Sequence, residues 1–329
     1  MKHAFLAAAL LSSSLATGAC AENLTLATGS SGGTYFPVGV ALSTLISDQL
    51  AENSVRMSPI TTGGSAENVE LMATNEAQVA IMFGIYGRDG SRGIGLRDGR
   101  PPIPELRSIT ALWPDYDQFV IHKDHVKAGT LSDLEQLGAA FSVGPRNSGT
   151  EGTTRLLLDA VGIDPETAFQ PTNMTYNAAA GAFQNGRIAG LSAAGGIPTP
   201  AVPRIYSTSA EDIAILQVTD EQAARMAEAT DGLFRQVDIP AGTYPNQDEI
   251  IRTVMQPNFL AVRADVSEDT VYAMTKAIFE NLEVLWAASS AAESVTLDIA
   301  LNGLPVPLHP GAAHYYREQG IEIPENLVE

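Results

Sequence analysis

The sequence predicts an α/β protein built as two similar lobes. Short apolar runs alternate with segments of helical period, the pattern of a parallel sheet covered on both faces. A Gly/Ser/Thr loop follows a strand and precedes a helix three times. The strand–loop–helix scheme then starts afresh near Ala139, which implies a second unit.

The elements follow in order. Leu24 to Thr28 reads as the first strand. A helix is expected from about Pro37 to Glu52, because proline suits a first turn whose N–H has no partner. Val38, Ala41, Leu42, Leu45 and Ile46 fall on one face of it. Val55 to Ile60 reads as a strand, Ser65 to Asn75 as a helix with Val69, Met72 and Ala73 inward, and Val79 to Met82 as a wholly apolar strand. The Gly, Arg and Pro content of Gly87 to Pro104 predicts a surface excursion. Arg107 to Leu112 and Gln118 to His122 read as two strands, and Ser132-Asp133-Leu134-Glu135 as a capping box opening a short helix. Ala139 to Val143 and Thr150 to Val161 open the second unit as strand and helix, with β/α alternation to about Gln217. Val254 to Arg263 reads as a strand edged by Pro257. Ser267 to Trp286 reads as one helix, with Val271, Met274, Ile278, Leu282 and Leu285 on one face. The tail, with Pro305, Pro307 and Pro310, ends in a short helix.

Composition bounds the function. Hydrophobic residues make up 45% and charged residues 17% of 329, enough for a large core. Residues 1–21 read as a signal peptide: Lys2 is the basic start, Ala4 to Leu11 the apolar run, and Ala19-Cys20-Ala21 the cleavage site. The apolar run is too short to span a bilayer, so a periplasmic or extracellular location without membrane insertion is expected. Lipid attachment at Cys20 is the alternative, disfavoured by Thr17 three residues earlier. Cleavage after Ala21 leaves no cysteine and hence no disulfide or thiolate chemistry. The net charge of −19 argues against nucleic acid and against an anionic membrane surface.

The three loops carry the strongest functional signal: Gly29 to Tyr35, Thr61 to Ser65, and Asn147 to Thr150. A helix N-terminus presents unpaired N–H groups and about half a positive charge. Glycine admits close approach, and small hydroxyls add donors. Ligands of open α/β sheets sit beyond the strands' carboxyl ends, so these loops together form a candidate anion site. The same loops also read as ordinary N-caps, and Ser148 with Glu151 is itself a capping box. A nucleotide loop is disfavoured, because Gly29 to Gly33 lacks both the P-loop lysine and G-x-G-x-x-G spacing. Tyr35, Phe83, Tyr86, Trp113 and Tyr116 are candidate pocket walls or core, and Arg146 a candidate carboxylate partner or a solvated loop residue. His122, His125, His309 and His314 read as structural rather than metal ligands, and no catalytic triad signature or cofactor motif is present.

The sequence resembles the TAXI family of TRAP-transporter-associated extracytoplasmic solute receptors, once catalogued as immunogenic proteins. The stretches that carry the resemblance are ATGSSGGTYFPVGVAL, TTGGSAENVELMATNEAQVAI, SVGPRNSGTEGTTRLLLDAVG, IPTPAV, IPAGTYPNQ and LPVPLHPGAAHYYREQG, from Ala27 to Gly320. It implies a periplasmic-binding-protein type II-like fold with a hinged cleft, in which the chain crosses back so that C-terminal elements complete the first lobe. On that basis lobe I is expected to comprise residues 22–118 with about 240–329, and lobe II about 119–239. The resemblance also implies a monomeric partner of an ion-gradient-driven TRAP-type permease, and a 2-oxoacid, dicarboxylate or glutamate-like ligand. Ser30, Gly33, Thr34, Tyr35, Ser65, Asn68, Ser148, Gly149 and Thr150 are the matching site positions. Where many relatives have a polar Gln-Ser-Asp-like run, this chain has Phe83-Gly84-Ile85. That removes an expected partner for a ligand ammonium and favours a carboxylate without an amine. The expected activity is binding without chemistry. A secreted hydrolase or transferase on the same scaffold, and a sensor lobe for a membrane kinase, are the alternatives.

Overall fold

The computed structural model describes residues 22–209 and 212–328. The expected cleavage site and Cys20 lie outside these residues. The first part of the chain forms β1 (Glu22–Ala27), α1 (Tyr35–Gln49), β2 (Val55–Ile60), α2 (Ser65–Ala73), β3 (Val79–Phe83), α3 (Gly84–Arg92) and β4 (Leu106–His122). The middle forms β5 (Ala140–Ser142), α4 (Gly149–Ala160), α5 (Pro165–Ala168), β6 (Gln170–Thr172), α6 (Tyr176–Gln184), β7 (Gly190–Gly195), α7 (Ala201–Ser209), β8 (Ile213–Ile215), α8 (Asp220–Ala229) and β9 (Arg235–Ile239). β10 (Ile251–Arg263), α9 (Glu268–Glu280), α10 (Leu282–Ala288) and α11 (Pro310–Glu318) complete it.

One sheet runs through the molecule in the order β2-β1-β3-β10-β4-β7-β5-β6, with β8 on β4 and β9 on β10. It is mixed rather than parallel throughout. A parallel trio stands at each end, β2-β1-β3 and β7-β5-β6. Between them β10 and β4 run antiparallel to each other and to their outer neighbours. At about 3.3 Å per residue, the 17 residues of β4 span on the order of 55 Å. That length lets one strand serve both lobes, its first part pairing β10 and its last part β7 and β8. β10 lies beside β3, and α1 packs on α9 and α10, so C-terminal segments do build on the N-terminal ones. A second core cluster is drawn wholly from residues between Val120 and Ile251.

Four local expectations are corrected. The two strands expected at Arg107 to Leu112 and Gln118 to His122 are one, β4, which runs straight through Pro114. Pro114 faces Pro257 of β10, and the ladder register shifts there, as it must where neither residue has an N–H to donate. The segment from Gly87 begins inside a helix, α3, rather than a surface excursion. Its buried Gly84, Gly87 and Gly90 form a flat face, and a Cβ on Gly87 would stand 2.5 Å from the Phe259 ring. Leu131–Leu134 is a 3-10 turn without a capping box. The helix expected from Ser267 to Trp286 breaks at Asn281, whose φ of −142° leaves the helical region and whose side-chain amide donates to the Ala277 carbonyl at 2.8 Å.

Candidate functional site

A cavity of about 40 Å³ lies where the loops of the two lobes meet. From the N-terminal side it is lined by Gly29, Ser30, Gly33, Thr34 and Tyr35, by Gly63 to Ser65, by Phe83 at the end of β3 and by Asp115 of β4. Pro145, Gly149, Thr150, Tyr176, Ala194 and Gly195 line it from the other side. The three loops singled out in the sequence therefore converge. The space amounts to roughly three water positions, the scale of a small organic anion.

The strand–loop–helix geometry explains why these loops face one another. β1, β2 and β3 run parallel, so their carboxyl ends lie at one edge, where α1 and α2 start. α4 starts after β5 in the same way. The first N–H groups of a helix have no partner inside it. At α1 and α2 the capping positions, Thr34 and Gly64, make no side-chain cap. At α4 the Ser148 hydroxyl accepts the Glu151 N–H at 3.0 Å, and the first-turn residues Gly149 and Thr150 line the cavity. The Glu151 carboxylate accepts the Asn147 N–H at 2.7 Å rather than that of Ser148, so only half of the expected capping box forms.

Of the predicted site residues, Ser30, Gly33, Thr34, Tyr35, Ser65, Phe83, Gly149 and Thr150 line the cavity, and four do not. Asn68 is fully buried and structural: it accepts from the Thr62 hydroxyl at 2.6 Å and donates to the carbonyls of Thr28 at 2.7 Å and Ile81 at 2.9 Å, tying β1 to β3. Ser148 caps α4. Trp113 is buried behind Tyr35, ring centroids 6.1 Å apart. Arg146 is exposed and off the cavity, so it is no carboxylate clamp there. Tyr86 and Tyr116 also lie off the cavity. The Tyr86 hydroxyl instead reaches the Ser148 carbonyl at 3.5 Å, joining α3 to the loop before α4.

The cavity hydroxyls are mostly engaged. Tyr35 donates to Asn258, and Ser65 accepts the Phe83 N–H at 2.9 Å. Thr150 bonds the Tyr176 hydroxyl, which also donates to the Ala194 carbonyl at 2.7 Å. The buried Thr34 hydroxyl has no partner among the described residues.

Sequence reasoning missed Asp115 and Tyr176. Asp115 and Asp117 are both 0% exposed, and among the described residues neither carboxylate has a well-formed hydrogen bond, although the Asn258 amide stands beside Asp115 and the Thr153 hydroxyl beside Asp117. Burial pushes the Asp115 carboxyl well up, the Asp117 charge pushes it further, and the Asn258 amide opposes this in part. Burial likewise raises Asp117, which Thr153 only partly offsets. An acid does line the cavity, but it comes from β4 and not from Phe83-Gly84-Ile85. The signal was there to read, since Asp115 and Asp117 alternate within an apolar run and so share a strand face.

Glycine plays a different part from the one its loops suggested. Gly64 has φ 112°, a conformation that only glycine adopts readily, and it sits against the Gly149 amide across the cleft. A Cβ on Gly149 would lie 2.8 Å from the Phe83 ring and 3.0 Å from Ser65 Cβ. These glycines let the loops around the cavity approach one another closely.

Several solved structures share this fold. A Xanthomonas citri protein bound to ATP matches with 12% identity over 90% of this chain and 95% of its own, TM-score 0.52. A binding-protein component of an ABC phosphonate transporter from Pseudomonas aeruginosa matches with 12% identity over 83% and 79%, TM-score 0.52. A protein of Bordetella bronchiseptica matches with 15% identity over 94% and 91%, TM-score 0.52. At such identities the likeness establishes the periplasmic-binding-protein-like fold alone. At the level of sequence, residues 26–320 match the NMT1-like family, and the chain belongs to that family.

Proposed function

We propose that the chain is an exported solute-binding receptor that captures a small carboxylate between its lobes and delivers it to a membrane permease. The observation that carries this reading is the convergence of three helix N-termini, from both lobes, on one small cavity. Such termini favour an anion, and a ligand touching both lobes favours the closed arrangement by its differential affinity. The division into residues 22–118 with about 240–329, and about 119–239, belongs to this proposal. So does a hinge where β4 and β10 cross at Pro114 and Pro257. The volume of about 40 Å³ suits a short 2-oxoacid better than a glutamate-sized ligand. The TRAP-type permease rests on the sequence resemblance. An ABC importer is the second reading, because one protein of this fold serves an ABC phosphonate transporter.

Native mass spectrometry of freshly purified protein should reveal a carried organic acid, and a thermal-shift screen of carboxylic acids should raise the melting temperature with the same compound. A screen in which no carboxylate shifts the transition, while phosphonates or amines do, replaces the ligand class. Turnover of the bound compound, abolished by one point substitution, replaces the receptor reading with an enzyme.

A further inference from the structure

The helix N-termini account for an anion in the cavity, but not for an aspartate beside it. Asp115 lines the cavity and is wholly buried, and among the described residues only the uncharged Asn258 amide stands beside it, without a well-formed hydrogen bond to either oxygen. An unpaired buried carboxylate is among the costliest groups a fold can hold. Asp117 stands two residues along the same strand face, equally buried, with only the Thr153 hydroxyl beside it. The titratable groups set against Asp115 are Asp117 on its own strand, Tyr35 on α1 and Tyr176 on α6, and β10 contributes the uncharged Asn258. Among the described residues no Lys, Arg or His lines the cavity. Tyr35 and Tyr176 already donate elsewhere, to Asn258 and to the Ala194 carbonyl. Among the described residues none supplies Asp115 with a positive partner.

The cavity is small enough that an anion held by the helix N-termini is a neighbour of Asp115. Two carboxylates in contact cannot both ionise at modest cost, and one shared proton relieves the conflict. Resting on the receptor reading above, we propose that Asp115 binds as the neutral acid, donating its O–H to an oxygen of the bound carboxylate, so that solute and proton are captured together. The proton stays between the two oxygens, and nothing else is transferred. The elevated titration of Asp115 agrees with this assignment.

The probes are pyruvate and alanine, which share a three-carbon skeleton and differ in the amine. Calorimetry from about pH 5 to about pH 9, in buffers of different ionisation enthalpy, reads both affinity and protons exchanged. Pyruvate should bind with net proton uptake on the alkaline side, its affinity falling there by up to about tenfold per pH unit. Asp115→Ala should weaken binding by roughly tenfold or more, and Asp115→Asn, neutral and still a donor, should restore it without the alkaline decline. Alanine binding that holds to alkaline pH and is lost in Asp115→Asn means that the ligand brings an ammonium, and overturns the proposal. So does a flat pH profile for pyruvate. An infrared readout needs no ligand: native protein at neutral pH should show protonated-carboxyl C=O absorption, and Asp115→Asn should remove the band that persists in Asp117→Asn. Absence of that band overturns the proposal on its own. If neither probe binds but the band is present, the carboxylate reading of the site fails while the neutral acid stands.

Discussion

Helix starts at the cleft and helix starts at the periphery are built from the same residue types and end up differently. α8 begins with a complete capping box, Thr219 accepting the Gln222 N–H at 3.2 Å and Gln222 accepting the Thr219 N–H at 3.0 Å. α9 begins with Ser267 accepting the Thr270 N–H at 3.1 Å. α1 and α2 begin in loops equally rich in Ser, Thr and Gly, yet neither is capped by a side chain. In the cleft the Ser65 hydroxyl serves the Phe83 amide, and that of Thr62 serves Asn68, the Thr28 carbonyl and the Gly64 N–H. Without a cap side chain, the first-turn N–H groups of these helices are the available donors for a ligand. α4, also at the cleft, keeps its Ser148 cap, so the contrast holds for α1 and α2.

A parallel contrast separates the buried aspartates. Burial opposes ionisation of Asp133 too, but it accepts backbone N–H groups from Lys127, Ala128 and Gly129 at 2.8–3.0 Å, and its carboxyl is held below the usual range. Asp115 and Asp117 accept none and are pushed the other way.

The largest effect should come from separating the lobes. Gly149→Val places a branched side chain against Phe83 and Ser65, so the cleft should no longer close and binding of the carried solute should fall by about a hundredfold or more. Retained affinity, measured by calorimetry, would mean that closure is not part of capture. Next, Ser65→Ala and Thr150→Ala should each cost about 1–3 kcal/mol of binding. Part of that cost is indirect, since these hydroxyls bond Phe83 and Tyr176, and an unchanged dissociation constant in both removes these loops from the site. At the periphery, Thr219→Ala should lower folding stability by about 1 kcal/mol and leave binding alone. A comparable loss of affinity would erase the distinction between the two kinds of helix start.

Melting against pH sharpens the aspartate contrast. A carboxyl raised in the folded protein binds more protons there than in the unfolded chain, whose value is about 3.9. Its stabilising effect is complete below that value and is lost as pH rises through the folded-state titration. Asp133, lowered on folding, contributes stability above the unfolded value and loses it as pH falls. Asp115→Asn should therefore flatten the alkaline decline in melting temperature, and Asp133→Asn the acid one. Identical profiles for the two variants would contradict the contrast.

Much of the fold was legible because hydrophobic period and element coincide. β1, β2, β3, α2 and α4 fall within about two residues of their expected bounds, the ordinary uncertainty of helix and strand ends. β4 was not, because Pro114 and two acids interrupt an apolar run that tertiary pairing with β10 carries through. α3 was hidden by glycines and arginines that signal a loop locally, but whose flat face is used for packing. At the site, the glycine–hydroxyl loops pointed to the right place, since backbone donors are set by topology. They did not separate Ser65 and Thr150 from Asn68 and Ser148, because whether a side chain faces the cavity or the core depends on the partner strand. Asp115 was missed for the same reason as its strand.

A crystal structure of the protein with pyruvate, or with the solute it carries through purification, tests the central claim most directly. The account predicts the carboxylate seated between the first turns of α2 and α4, accepting N–H bonds from around Ser65 and from Gly149 or Thr150, with Asp115 against one of its oxygens. A carboxylate held by exposed side chains such as Arg146, or touching one lobe alone, would contradict it.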